Sequence, residues 1–378
     1  MIVIFAGSIG RFPVGGHAWV DLQYLLGLEA LGHDVFYVED CGEESWVYDW
    51  EAQELTTGLA YPTEYLRSSL EGTGLERRWI YRAGGRSAGM EEAELLDACS
   101  RADLLIVRGV PIAPWRKEYD LPRRRAFVDS DPGFTQISLG QGSRDLTGTI
   151  ARCERLFTVG QRIGDPDCLA PTGGRRWIKL MPPVHLPCWP RSEAEANRFT
   201  SILQWRSYRE VFHDGIAYGN KDREFPKFLD LPRRTSQRFR LALTGAPPDA
   251  MREHGWEVVP GWNISFRPDD YRKFVQESRA ELGIAKHGYV ALRTGWFSDR
   301  SACYLASGRP VLLQETGLDE RLKGGKGLVT FRDIEDALRG VESINADYEE
   351  HRKGARRLAE ELLAAERVLP RFLEAAME

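Results

Sequence analysis

The densest cluster of chemically useful side chains lies between Lys286 and Gly317, in the stretch KHGYVALRTGWFSDRSACYLASGRPVLLQETG. Here Arg293, Gly295, Ser298, Asp299, Arg300 and Ser301 form a glycine-containing turn running into a helix pattern. Backbone N–H groups at a helix start, a guanidinium fork and hydroxyls together suit a diphosphate, and an aspartate there can accept from a ribose hydroxyl. A well-capped helix-to-strand crossover explains the Gly and Pro residues but not the polar cluster. Two other places offer acid–base groups. The glycine-rich connection Gly7 to Gly16 leads into a helix that carries His17 at its first turn, where the positive helix end favours a neutral imidazole, the form a general base needs. A simple polar cap is the alternative. Asp129-Ser130-Asp131 is the competing carboxylate pair, able in principle to hold a divalent metal or merely to cap a turn.

These loops need strands to deliver them. Short apolar runs alternating with helix-length amphipathic stretches predict parallel sheets covered by helices on both faces, an α/β fold. The first series comprises strands over 2–6, 35–39, 104–107, 126–129, 156–159 and 177–180, with a helix over 18–32 closed by Gly32. The proline-rich, polar stretch 181–197 looks like a linker. A second series follows, with strands over 199–204, 239–243, 257–259, 282–284 and 310–314. Its helices are expected near 268–279, 300–307, 333–341 and 348–365, with a last one over 371–377. Two such domains facing one another form a cleft where two substrates can meet. The glycines at 7, 10, 15 and 16 do not have the dinucleotide-binding spacing.

Composition narrows the function further. The chain has 378 residues, enough for two or three domains, and 42% hydrophobic with 28% charged residues is ordinary globular composition. Lys plus Arg total 51 against 56 for Asp plus Glu, a net charge of −5, so a protein that coats nucleic acid is not expected. The six cysteines show no C-x-x-C pair, which fits free thiols in a cytoplasmic protein. The apolar amino-terminal run is too short for a membrane span. The carboxyl-terminal helices balance acids against bases and are expected to pack rather than lie on a membrane. Trp19, Trp205 and Trp296 lie beside candidate loops, where rings can form a platform for a flat acceptor.

The late glycine turn and helix followed by Gly308-Arg309-Pro310-Val311 resembles the donor-binding region of GT-B-fold glycosyltransferases. The amino-terminal GGHAWVDLQYLLGLEALGHDVFYVED is similar to the first βαβ unit of that fold, and Gly317–Glu320, Gly324–Val329 and Asp333–Leu338 resemble its carboxyl-terminal loop and helix. The resemblance implies two Rossmann-like domains, an acceptor domain over 1–185 and a donor domain over 186–350. Terminal helices over 351–378 would cross back onto the first domain. It also implies that basic side chains after the strand at 199–204, Arg206 and Lys221, reach the donor together with Lys286, and that Gln314, Glu315 and Thr316 meet sugar hydroxyls. Two glutamates common in retaining members are missing, since Gly295 and Cys303 hold those positions, and Arg293 replaces the histidine of many inverting ones.

The resulting expectation is a hexosyltransferase-like enzyme that moves a sugar from a uridine or thymidine diphosphate sugar to a small-molecule, natural-product-like acceptor. It would need neither metal nor other cofactor. His17 is the expected base and Asp131 its substitute, with Gly15, Gly16 and Trp19 on the acceptor. A nucleotide-sugar epimerase or phosphorylase of the same fold, or a catalytically silent binding partner, is the alternative.

Overall fold

The computed structural model describes residues 1–43, 46–322 and 325–378; Gly324, within the expected carboxyl-terminal loop, lies outside the described residues. Two sheets organise the chain. The first has eight strands in the order Ile178–Lys179, Arg155–Thr158, Arg124–Asp129, Leu104–Arg108, Ile2–Ala6, Asp34–Asp40, Trp79–Ala83 and Arg86–Gly89. All neighbours are parallel except the last pair, an antiparallel hairpin. The second has six parallel strands in the order Glu257–Pro260, Arg238–Thr244, Arg198–Gln204, Ala280–Gly283, Val311–Gln314 and Leu328–Phe331. Uninterrupted apolar strands such as Ile2–Ala6 and Val311–Leu313 are what burial on both faces requires.

Each sheet reverses its winding once, and those reversals choose the loops that can hold a ligand. In the first sheet the chain winds outward from Ile2–Ala6 through Asp34–Asp40, then returns to the other side at Leu104–Arg108. Residues 7–17 and Arg108 therefore open onto one crevice. In the second sheet the reversal falls between Arg198–Gln204 and Ala280–Gly283, which exposes 205–208 and 284–289 at the carboxyl ends of those strands.

The strands expected in the first sheet are found within a residue or two, and several elements are additional. The pair Trp79–Ala83 and Arg86–Gly89 escapes the apolar pattern because Arg82 is buried in the strand, held by Glu92, Glu118 and the hydroxyl of Tyr119. Leu328–Phe331 follows a glycine run and reads as loop. The stretch 181–197 is no free linker: Trp189 is fully buried against Trp19, with ring centroids 4.9 Å apart, and lies 6.4 Å from Tyr271.

The helix expected over 348–365 is interrupted. Tyr348–Leu358 continues through a π turn to Leu363, Ala364 is extended, and a new helix runs over Ala365–Met377. This last helix returns to the first sheet. Gly27 of the first helix, Gly15–Ala30, packs on Ala365 and Leu369 so closely that a Cβ there would lie 2.5 Å from Leu369 Cδ1. Phe372 packs on Phe157 with ring centroids 4.6 Å apart.

Candidate active site

A cleft of about 600 Å³ lies where the two reversal points meet, bordered by His17, Lys221, Lys286, Ser298, Asp299 and Arg300 among others. Its halves are joined by direct contacts. Trp19 Nε1 donates to Pro268 O at 2.7 Å, and the Tyr65 hydroxyl donates to Phe266 O at 2.6 Å. Gly15 and Gly16 permit this approach, because a Cβ on Gly15 would meet Arg267 O at 2.4 Å and one on Gly16 the Tyr271 ring at 2.8 Å.

On the first-domain side the glycine-rich loop is wrapped around buried charges. The Glu39 carboxylate accepts from Gly10 N at 2.7 Å and Arg11 N at 2.9 Å, with the Tyr37 hydroxyl 2.7 Å away. Burial pushes this carboxyl up to about 7 against those stabilising bonds. Asp21 accepts from Ser8 N at 3.0 Å and forms a fully buried ion pair with Arg108. His17 Nε2 receives Arg108 Nη2 at 3.2 Å and lies 2.8 Å from Ser8 Oγ. A guanidinium only donates, so Nε2 is unprotonated and the proton of the neutral ring sits on Nδ1. Burial, then Arg108, lowers the imidazole to about 4, with Asp21 opposing.

The second-domain side is cationic and less satisfied. Lys221 is buried and its ammonium has no hydrogen-bond or ion-pair partner among the described residues; burial and the neighbouring Arg300 and Lys286 hold it well below the usual lysine range, with Glu281 opposing. Arg300 binds Glu281 Oε1 at 2.6 Å and Ile202 O at 2.8 Å, leaving Nη2 without a partner among the described residues. Ser298 caps the helix Asp299–Ala306, its Oγ accepting from Arg300 N at 3.2 Å. Asp299 beside it is half-buried, and the partial loss of water raises its carboxyl, while Arg108 opposes that shift.

Lys286 bridges the halves. Its Nζ donates to Asp131 Oδ1 at 3.2 Å and to the Tyr208 hydroxyl at 2.6 Å, while Tyr208 and Tyr289 donate to the same carboxylate. The ammonium also lies 4.2 Å from the Tyr208 ring centroid.

The expected residues thus divide into two groups. His17, Gly16, Lys221, Lys286, Ser298, Asp299 and Arg300 border the cleft, and Asp131 adjoins it through Lys286. The others do not. Arg206 is exposed and paired with Asp222, and Arg293, at φ 54°, pairs with Asp167. Gly295, at φ 69°, packs on Arg162, and the Ser301 hydroxyl is buried without a partner among the described residues. Gln314 bonds Ala285 N and Glu224, Glu315 caps Gly317 and Leu318, and Thr316 donates to Trp296 O, all outside the cleft lining. Gly15 and Trp19 serve the contact between domains, whereas Trp296, stacked on Tyr289, does border the cleft. The carboxylate of Asp129 is saturated by Thr135, Gln136, Thr158 and the backbone of Asp131. Among the described residues no group of three His, Cys, Asp or Glu is arranged to hold a metal ion.

Arg108, Asp21 and Glu39 were not expected. Their signal was a charged residue closing an apolar strand or interrupting a helix's buried face, as Arg108 does after Leu104–Val107.

Two α/β domains with facing cleft loops and a returning last helix define the GT-B fold, and solved structures of that fold match the whole chain. An alpha-glucosyltransferase in complex with UDP is 12% identical, covers 100% of this chain and 99% of its own, and superposes with a TM-score of 0.64. Sucrose-phosphate synthase from Thermosynechococcus elongatus is 14% identical, covers 100% of both chains and gives 0.53. HepE from Anabaena, in complex with UDP and glucose, is 10% identical, covers 99% and 98%, and gives 0.55. Residues 223–373 match the family described as glycosyl transferase-like, and the chain as a whole has the fold of these glycosyltransferase structures. No curated protein sequence matches the chain significantly. Among the described residues no helix is long and apolar enough to cross a membrane.

Proposed function

We propose that the enzyme transfers a sugar from a uridine diphosphate sugar to a hydroxyl of a small-molecule acceptor without a divalent metal. The observation that carries this reading is the convergence of Lys221, Lys286 and Arg300 on one cleft beside the helix start at Ser298, with the Lys221 ammonium in no hydrogen bond or ion pair among the described residues. Burying an unpaired ammonium is costly, and a diphosphate supplies the missing charge. UDP in two of the neighbouring structures supports the choice of nucleotide. The cations and the helix start stabilise the departing diphosphate, the task otherwise given to a metal. Thymidine diphosphate sugars present the same phosphates.

A neighbouring alpha-glucosyltransferase was solved with DNA. The net charge of −5 favours a small acceptor here. His17 acts in this reading by orienting groups through Nδ1–H, because Nε2 is committed to Arg108. Asp131 is the counter-ion of Lys286 that the diphosphate displaces. Incubation with labelled UDP-glucose, acceptor mixtures and EDTA tests the proposal. Labelled conjugates and free UDP are expected. Turnover abolished by EDTA and restored by manganese would refute metal independence, and donor epimerisation without transfer would favour the other enzyme class.

A further inference from the structure

The first-domain wall of the cleft carries an apolar surface that the phosphate chemistry does not use. Phe12, Trp46, Tyr48 and Leu55 all border the cleft, yet they remain 43%, 60%, 36% and 61% exposed. Scattered exposed hydrophobic residues are ordinary, but a convergent set inside a cleft marks a binding surface. Most of this one comes from a single element, the antiparallel hairpin Val47–Asp49 with Glu54–Thr56.

In that hairpin Tyr48 stands directly opposite Leu55, and Tyr48 packs edge-on against Trp50 with ring centroids 4.6 Å apart. Val47 points the other way and is buried. The pleat thus turns one face of the hairpin into the protein and leaves a face with Tyr48 and Leu55 open. An isolated two-stranded hairpin has little stability of its own, so an open aromatic face on it needs a reason.

The polar groups bordering the cleft are unevenly distributed. Lys221, Lys286, Ser298, Asp299 and Arg300 belong to the second domain, against Arg11, His17 and Ser130 from the first. The hairpin's own carboxylates do not line the cleft; Glu51 sits 3.8 Å from Arg267 in an exposed pair. A saccharide needs many directional hydrogen bonds, and this wall offers few. A flat apolar ring system needs only area and π-faces.

We infer that the acceptor is a hydroxylated planar molecule, aromatic or polycyclic, whose apolar face lies on Trp46, Tyr48 and Leu55. This inference rests on the transferase reading above and adds the chemical class of its acceptor. The fit also explains the contrast with a DNA-bound neighbour, because the wall presents rings, aliphatic carbon and a single cation, Arg11, where a polyanion would need a row of cations.

The test uses the full chain and three probes: 4-methylumbelliferone as a planar phenol, methyl glucoside as a saccharide and a short DNA duplex. Binding is followed by calorimetry with and without UDP, and the UDP affinity is measured separately, so failure of the nucleotide reading and failure of the acceptor reading appear in different titrations. Only the phenol is expected to bind. Trp46→Ala should weaken it by about two- to tenfold, the size of one ring contact, and the pair Tyr48→Ala with Leu55→Ala by more. UDP affinity and the melting temperature should stay unchanged in these exposed positions. Leu121→Ala, an exposed hydrophobic residue away from the cleft, serves as control and should change nothing. Tighter binding of the glucoside or the duplex overturns the inference. So does phenol binding that both wall variants leave untouched.

Discussion

The two sides of the cleft treat charge in opposite ways. On the first-domain side every buried ionic group has a partner made by the fold itself: Asp21 has Arg108, and Glu39 has two backbone N–H groups and a tyrosine hydroxyl. On the second-domain side Lys221 has none among the described residues, and Arg300 leaves one nitrogen unbonded. A closed network is spent on shape, whereas an open one keeps affinity in reserve for a ligand. Substitutions on the first side should therefore cost folding, and those on the second should cost binding.

The largest effect should come from Arg108→Ala. It leaves the Asp21 carboxyl fully buried without its cation, and breaking such a pair costs about 3–5 kcal/mol, read as a lower denaturant midpoint. A loss below about 1 kcal/mol would show that the network is not structural.

His17 gives the next effect. Its folded pKa of about 4 lies below the unfolded 6.5, so the stability it contributes is complete above 6.5 and is lost as the pH falls toward 4, by at most about 3 kcal/mol. Glu39, raised to about 7 from 4.5, works in the opposite sense, contributing below 4.5 and losing its share as the pH rises through 7. Stability measured against pH for the wild type and His17→Asn isolates the first slope, which should flatten in the variant. Kinetically, His17→Ala should raise the acceptor KM while kcat stays within tenfold; a fall of about 10²–10⁴ in kcat would instead make it the base.

On the cationic side, Lys221→Met should leave the melting temperature unchanged or raise it by a few degrees, since it removes a buried charge without a partner. A marked fall would mean the ammonium is already compensated. The smallest effect is expected at Asp131. Asp131→Asn removes a carboxylate that competes for Lys286, so UDP should bind about two- to tenfold tighter, within the modest range of such pairs. Weaker UDP binding would make the carboxylate a positioning group for the cation instead.

The sequence exposed one side of this contrast better than the other. Lys221, Lys286, Ser298, Asp299 and Arg300 are legible because glycine turns, helix caps and basic residues after strands carry a ligand chemistry that needs no tertiary information. Arg206 and Arg293 have the same local credentials, yet they turn outward to Asp222 and Asp167, partners that only the folded chain supplies. Arg108, Asp21 and Glu39 come from a strand end, a helix and a second strand, so their meeting depends on strand order. The hairpin over 47–56 is too short and polar to read as strands, and its aromatic face becomes visible only once the cleft is built around it.

The most direct test is calorimetric titration of UDP, with EDTA present, into the wild type, Lys221→Ala and Arg206→Ala. UDP should bind the wild type, weaken by about 1–3 kcal/mol in Lys221→Ala, as expected for a lost charge-assisted contact, and bind Arg206→Ala as it binds the wild type. Equal affinity in the wild type and Lys221→Ala, or a loss confined to Arg206→Ala, would contradict the placement of the donor diphosphate on this cationic floor.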